Sequence, residues 1–512
     1  MPTGEEFDWH PEPDLIDFHD PASRAALEQL GDDTWSVAMD YLFDHAFVRP
    51  VGPLTYPELR RAYFGESGLP GPAPAEPSTS AKVLQDIRDR MLPYAYNAHH
   101  LRSFSYFTTP PLPISAAGDA LAAWLHQSVD VFHAGPIGTL VEEEVATWLR
   151  DLVGVGSDGW AVLTSGGVMA NLMAMTVMRD IALTERLGAT APPRGGQLEG
   201  VRVYCSDQAH FSIRRALDLL GFPADTLRVI DSDPDFRLPP AAVADAIATD
   251  RAAGLLPLGL CAVSGTTNTG TVDPVPDLAD LAEREGLWFH VDAAYGGAAL
   301  LSARDAGRVP GLDRADSVTI DPHKWFFQAY DVGALVVRRR DDLHRTFVRR
   351  PEYYRSTRPQ DEAISWMEFT VEGTRRFRAL KLWMSWRHLG GTGLGRLVER
   401  TNDLAAALSA MLRDSTDFEL VVAEPDLSIV CFRHRPAGVD DPVELDAHQD
   451  ALQRALEESG QAWVSTTRLR GRTWLRAGVV NHMSTTEDLA ALLDSLRTLA
   501  ARAVEGPPAT SP

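Results

Sequence analysis

The chain has 512 residues, 45% hydrophobic and 23% charged. That suits two or three domains around a large core and excludes a disordered, collagen-like or disulfide-stapled protein. Acidic side chains outnumber basic ones by 71 to 48, and the formal charge of −23 repels phosphate backbones, which argues against nucleic-acid binding. Three scattered cysteines, Cys205, Cys261 and Cys431, give neither a disulfide framework nor a zinc site and point to a reducing cytoplasm.

In chain order, residues 1–30 read as a loose acidic arm whose proline-broken start is not a signal peptide. Trp35, Val37, Ala38, Tyr41, Leu42 and Ala46 then form a stripe at helical spacing. The Pro/Gly/Ser run 68–80 reads as a linker, followed by a helix over 81–92 and an irregular aromatic segment. From about 115 to 340, short apolar strands alternate with helical segments. The strands are predicted at 159–164, 201–206, 227–231, 258–264, 287–292, 317–321 and 333–338. This is an α/β layout, a mainly parallel seven-stranded sheet with helices on both faces. The seventh strand follows the sixth too closely for a helical crossover, so it is predicted antiparallel. A helical region fills 374–415, and 416–500 reads as a smaller α+β domain with strands in LSIVCF and TWLRAGVV. The predicted organisation is an N-terminal arm and helical segment over 1–110, a large α/β domain over 111–395, a small α+β domain over 396–505 and a disordered tail over 506–512. No run of 18 apolar residues predicts a membrane span.

Three elements carry chemistry. The first strand runs into Ser165-Gly166-Gly167-Val168, which opens a methionine-rich helix. Glycines and free amides at a helix start make a phosphate cradle; the other reading is a tight turn that needs glycine for packing. Asp292 ends the fifth strand, followed by the small residues Ala293 and Ala294, at the sheet end where open α/β folds bind ligands. It reads either as a carboxylate facing a cationic, flat ligand or as a helix N-cap. The third element is Lys324 in DPHKWFF. The chain has only three lysines, Lys82, Lys324 and Lys381. Lys324 follows a buried strand and precedes three aromatics, so it is expected to be desolvated, with a depressed pKa suited to a Schiff base. Lys82 and Lys381 read as surface or packing lysines. A phosphate cradle, a carboxylate for a protonated ring nitrogen and a Schiff-base lysine are together the anchors of pyridoxal 5′-phosphate.

The motifs SDQAHFS, SGTTNTG, HVDAAYGG, DPHKW and RRFRALKLW, in this order, closely resemble those of the group II pyridoxal-phosphate-dependent amino-acid decarboxylases, and most closely the aromatic-L-amino-acid decarboxylases. The resemblance is strong over about 81–400. It implies the fold type I architecture of pyridoxal-phosphate-dependent transferases and a homodimer with shared active sites. It implies that Lys324 is the Schiff-base lysine, that Asp292 keeps the pyridine nitrogen protonated and that His210 stacks on the ring. By the same resemblance Thr267 and Ala294 contact the ring substituents, and Gly166, Gly167, Val168 and His323 lie at the phosphate. Asp321 is a departure, since some animal members carry Asn there on the phosphate, and it is left off the phosphate set.

Tyr353, 29 residues after Lys324 in RRPEYYRSTRP, matches a loop tyrosine that protonates Cα after carbon dioxide leaves; the adjacent Tyr354 leaves a one-residue slip open. Tyr106, Phe107, Thr109 and Phe132 match substrate-pocket positions of the aromatic enzymes. Asn97–His100 stands where those often place a Trp, and Asp130 falls near an apolar position, where it holds a polar substrate group or caps a turn. The expected activity is decarboxylation of an L-amino acid, preferably aromatic, to an amine. The alternatives are oxidative decarboxylation to an aldehyde and an aliphatic or basic substrate.

Overall fold

The computed structural model describes residues 21–52, 54–349 and 363–505. These gather into two compact units. One takes in the residues up to 103 with 451–463 and those from 491 onward; the other comprises 104–450 and 464–490.

In the first unit a helix runs over Pro21–Asp40, so the predicted arm is already helical in its last ten residues. The start of this helix is rich in alanine, and Arg24 pairs with Glu28 at 2.8 Å across one turn. The predicted stripe is only half a core face: Val37 and Ala46 are buried, but Trp35 keeps 60% of its exposure. Helices Tyr56–Phe64 and Ser80–Arg90 flank the predicted linker. The first is held by a Thr55/Glu58 capping box and the second by the Thr79 hydroxyl, which accepts from the Lys82 amide at 3.3 Å.

The second unit contains the large sheet. Its strands are β1 (Trp160–Thr164), β2 (Val201–Ser206), β3 (Leu227–Ile230), β4 (Leu256–Val263), β5 (Trp288–Asp292), β6 (Ser317–Ile320) and β7 (Gly333–Val337). Their order is β1-β7-β6-β5-β4-β2-β3. Only β7 is antiparallel to its neighbours, as the short β6–β7 connection requires. Every residue of β1, β2, β5, β6 and β7 is buried. This is why they read as unbroken apolar runs: helices cover both faces. Because β1, β2, β4, β5 and β6 point the same way, the turns that leave them all emerge on one edge of the sheet, and the candidate cofactor residues lie at those strand ends and turns.

A helix over Ala379–Arg413, broken at Gly390 where φ is +66°, fills the predicted helical region. Beyond it lies an antiparallel sheet of β8 (Phe418–Leu420), β9 (Ile429–His434), β10 (Ser465–Leu469) and β11 (Arg472–Gly478), in the order β10-β11-β9-β8. The two predicted strands are its centre. Among the described residues no helix is long and apolar enough to cross a membrane.

Candidate active site

At the carboxyl edge of the large sheet lies a cavity of about 390 Å³. The turn after β1 forms one wall. A Cβ on Gly166 would meet His323 Cε1 at 3.0 Å, and one on Gly167 would meet Asp321 Oδ2 at 2.8 Å. Glycine is therefore needed for packing, and the same turn presents the start of helix Gly167–Val177, whose first amides have no intrahelical acceptor. The packing reading holds, and the same close packing brings the β6–β7 loop against a helix start that faces the cavity.

Gly166, Gly167, Val168, His210, Thr267, Asp292, Ala294, His323 and Lys324, drawn from the turns after five strands, all line this cavity, and so does Phe107. Asp292 is 5% exposed. Its Oδ2 accepts from Asn171 Nδ2 at 2.8 Å and its Oδ1 from the Ala294 amide at 3.1 Å. It therefore does receive an amide two residues on, as a capping Asp would, while still facing the cavity.

Lys324 corrects one expectation. Its side chain keeps 23% of its exposure, and Nζ lies 3.0 Å from Asp321 Oδ2. Burial pulls the amine down, but Asp321 and Asp292 pull it up further, and the net shift is upward. The expected depression fails because desolvation, the largest single influence, is outweighed by Asp321 and Asp292 acting together. Asp321 itself is 3% exposed, and among the described residues its Oδ1 has no hydrogen-bond partner. A buried carboxylate oxygen left without a donor marks a place built for more than packing.

The two cavity histidines are both held below the ordinary imidazole range by burial. His210 caps helix Phe211–Leu219, its Nδ1 turned to Ser212 Oγ at 2.8 Å. His323 Nδ1 accepts from the Val332 amide at 3.2 Å, and its ring lies 4.8 Å from that of Tyr330. Phe107 packs on Tyr295 at 4.6 Å, and its ring centre is 5.5 Å from Lys324 Nζ.

The other pocket candidates sit elsewhere. Thr109 is buried and donates to the Lys324 carbonyl at 2.7 Å, bracing the lysine's backbone. Tyr106 is 59% exposed, and Phe132 opens a short 3-10 turn; neither is among the cavity's lining residues. Asp130 Oδ1 accepts from the Val131 amide at 2.8 Å, the turn-capping alternative. Asn97 and His100 belong to the first unit. Tyr353 and Tyr354 lie outside the described residues.

The RRFRALKLW motif is structural. Arg375 pairs with Glu142, both fully buried, and donates to the Val129 carbonyl at 3.0 Å and to that of Leu163 in β1 at 2.8 Å. It braces the strand from which the glycine turn emerges.

Sequence reasoning missed Asn171, which lines the cavity, and Ser212 and His290 behind it, which join it in a buried polar network, as well as the pairing of Asp321 with Lys324. Only the last had a sequence signal, the i, i+3 spacing in DPHK.

The donor set fits pyridoxal 5′-phosphate. A lysine amine, a buried carboxylate, an imidazole and a glycine-lined helix start converge on one cavity, and a Cβ on the glycines would close the turn.

A family model described as the pyridoxal-dependent decarboxylase conserved domain matches residues 64–435. The chain is 31% identical over 479 residues to the aromatic-L-amino-acid decarboxylase of Bacillus atrophaeus, covering 93% of this chain and 96% of that one. It is 28% identical over 434 residues to the L-2,4-diaminobutyrate decarboxylase of Acinetobacter baumannii, covering 82% and 84%. The crystal structure of Oryza sativa TDC with PLP and tryptamine matches the fold with a TM-score of 0.85 at 26% identity, covering 95% of this chain and 99% of that one.

Proposed function

The chain belongs to the pyridoxal-dependent decarboxylase family and is a pyridoxal 5′-phosphate-dependent amino-acid decarboxylase, and we propose that its substrate is an L-amino acid with an aromatic side chain. The observation that carries this choice is Phe107. It lines the cavity, is tilted on Tyr295 and stands 5.5 Å from the amine of Lys324, an apolar, polarisable wall for a planar side chain. The aromatic-L-amino-acid decarboxylase of Bacillus atrophaeus, similar over nearly the whole chain, supports the same choice.

In this reading Lys324 carries the cofactor as a Schiff base, and Asp292 holds a proton on its ring nitrogen. His210 lies on the ring face, and Thr267 and Ala294 meet the ring substituents. Gly166, Gly167, Val168 and His323 receive the phosphate at the helix start. Bound there, the cofactor supplies a ring that accepts the electron pair left when carbon dioxide departs. The residues do the rest. Lys324 Nζ gives up its place to the substrate amine and later takes it back. Asp321, 3.0 Å from Lys324 Nζ, favours the charged form of that amine. The paired carboxylate of Asp292 keeps the ring nitrogen charged in a buried setting. Tyr353 donates the phenolic proton that replaces carbon dioxide at Cα, which gives the amine. Two copies of the chain pair, and each contributes to the other's site. The exposed apolar residues Leu121, Trp124, Leu125, Ile137 and Leu140 support a covered face of this kind.

Carbon dioxide release from a panel of amino acids tests the substrate. Aromatic amino acids should have kcat/KM about 10²-fold or more above glutamate, lysine and 2,4-diaminobutyrate. Fastest turnover of an acidic or basic amino acid would refute the aromatic reading and leave the decarboxylase intact.

A further inference from the structure

A line of hydrogen bonds with one direction runs from the middle of the sheet to the cavity. It begins at Trp288 in β5, whose indole can only donate and whose Nε1 lies 3.0 Å from Ser317 Oγ in β6. Ser317 Oγ, accepting there, turns its own hydrogen to His290 Nδ1 at 2.9 Å. Burial lowers the His290 pKa, and with Nδ1 accepting from Ser317 the neutral ring carries its one proton on Nε2. That nitrogen lies 3.0 Å from Asn171 Oδ1, which also accepts from Thr319 Oγ1 at 2.6 Å.

The far side of Asn171 fixes the same orientation independently. A carboxylate can only accept, so the amide nitrogen must be the atom 2.8 Å from Asp292 Oδ2. Its second hydrogen goes to Ser212 Oγ, also at 2.8 Å. Ser212, accepting from Asn171, donates to His210 Nδ1 at 2.8 Å, and the Ser212 amide points at the same nitrogen at 3.4 Å. With Nδ1 an acceptor twice over, the proton of a neutral His210 is on Nε2, the nitrogen left to the cavity.

We propose that Asn171 is a positioning residue for the reaction: one amide hydrogen holds the carboxylate of Asp292, and the other, through Ser212, keeps the proton of His210 on Nε2. This rests on the reading that Asp292 and His210 meet the cofactor ring. It deepens that reading by joining the two residues through one buried side chain. Asn171 sits on the helix whose start forms the glycine turn, so one element sets the phosphate end, the ring-nitrogen partner and the stacked imidazole together. The charged groups facing His210 are Asp292, Lys324, Asp321 and Arg215. None of them touches Nδ1 in place of Ser212.

The test uses the full-length protein with pyridoxal 5′-phosphate bound and histidines labelled with ¹⁵N. The His210 resonances are identified by their loss in His210→Gln. Wild type should show a protonated Nε2 and an unprotonated Nδ1 near neutral pH. Ser212→Ala removes one hydroxyl and no packing volume of note. It should allow an Nδ1–H form to appear and raise the His210 pKa by about half to one unit, because a hydrogen bond that favours the neutral ring is gone. Asn171→Asp is isosteric and removes both amide hydrogens. It should mix the His210 tautomers in the same way and weaken pyridoxal 5′-phosphate binding about tenfold or more, while Ser212→Ala stays within about threefold. A wild-type His210 signal in either folded variant overturns the proposal. Whether the cofactor forms a reducible adduct with wild type is read in the same sample, so a failed site reading is told apart from a failed Asn171 role.

Discussion

Lys324 and Lys381 are both withdrawn from water, and their surroundings treat them in opposite ways. Lys381 is fully buried. Its Nζ donates to the Ala329 carbonyl at 3.0 Å and lies 2.9 Å from Asp119, and Gly118 packs so closely that a Cβ there would come within 2.8 Å of its Cα. Burial pulls its amine below the ordinary lysine range despite Asp119. Lys324 lines a cavity, faces two carboxylates, and its amine is held above that range. A depressed lysine pKa is often taken as the mark of a reactive amine. Here the depressed lysine has no room for a ligand, and the raised one has all of it. With Lys324 as the proposed reactive amine, space and unsatisfied partners are the features that set it apart, not the direction of its pKa shift.

The contrast is broken most directly by deleting each amine. Lys324→Ala should lose turnover by on the order of 10⁴-fold or more, together with the visible absorbance of the bound cofactor, and some stability as well, because the buried Asp321 loses its cation. Lys381→Met should keep that absorbance and lose stability instead. The loss should be about 2–3 kcal/mol, below the ~3–5 kcal/mol of a fully buried pair, because Asp119 keeps 19% of its exposure. Thermal melts and spectra of the two variants check both halves. Equal loss of cofactor from both would erase the distinction.

A second contrast sets the cavity against the segment after it. Tyr353→Phe should slow amine formation by about 10²-fold while carbon dioxide release persists. With dioxygen as oxidant, product should shift toward aldehyde, ammonia and hydrogen peroxide. Tyr354→Phe should change little. The amine-to-aldehyde ratio in the two variants settles the one-residue register, and an unchanged ratio in both would remove the tyrosine from the mechanism.

The smallest effect concerns Asp321. Since this carboxylate raises the Lys324 amine, Asp321→Asn should lower its pKa and leave more neutral amine at pH 7. Each unit of lowering below the wild-type value gives tenfold more of the reactive form. Stopped-flow mixing of the cofactor-free protein with pyridoxal 5′-phosphate should show attachment about three- to tenfold faster at pH 7, with the gain vanishing as the pH rises past the amine's range. The folding linkage has the same origin. The raised Lys324 pKa contributes stability that is present below the ordinary lysine pKa and lost as the pH rises through the folded value.

Much of this molecule was legible in its sequence because the informative residues are contiguous. Six of the seven strands of the large sheet are buried along almost their whole length and so appear as apolar runs, while the edge strand β3 is mostly exposed. The glycine turn, Asp292 and Lys324 each sit at the end of such a run, where α/β sheets bind ligands. β10 was not legible, since its residues alternate between partly buried and exposed around two threonines, nor was β8, which is three residues long. Asn171 was missed for a different reason. Its partners His290 and Ser212 lie 119 and 41 positions away, so no local pattern announces the network. Asp321 was read for what it would do to a phosphate, while its nearest charged neighbour is the lysine three residues on.

Borohydride reduction of the cofactor-loaded protein, followed by peptide mass spectrometry, addresses the central claim with little ambiguity, because the whole chain offers only Lys82, Lys324 and Lys381 as side-chain amines. The pyridoxyl mass should appear on the peptide containing Lys324 and be absent from the other two. A label on Lys381 or Lys82, or no stable label on any lysine, would contradict the assignment of this cavity as the catalytic site.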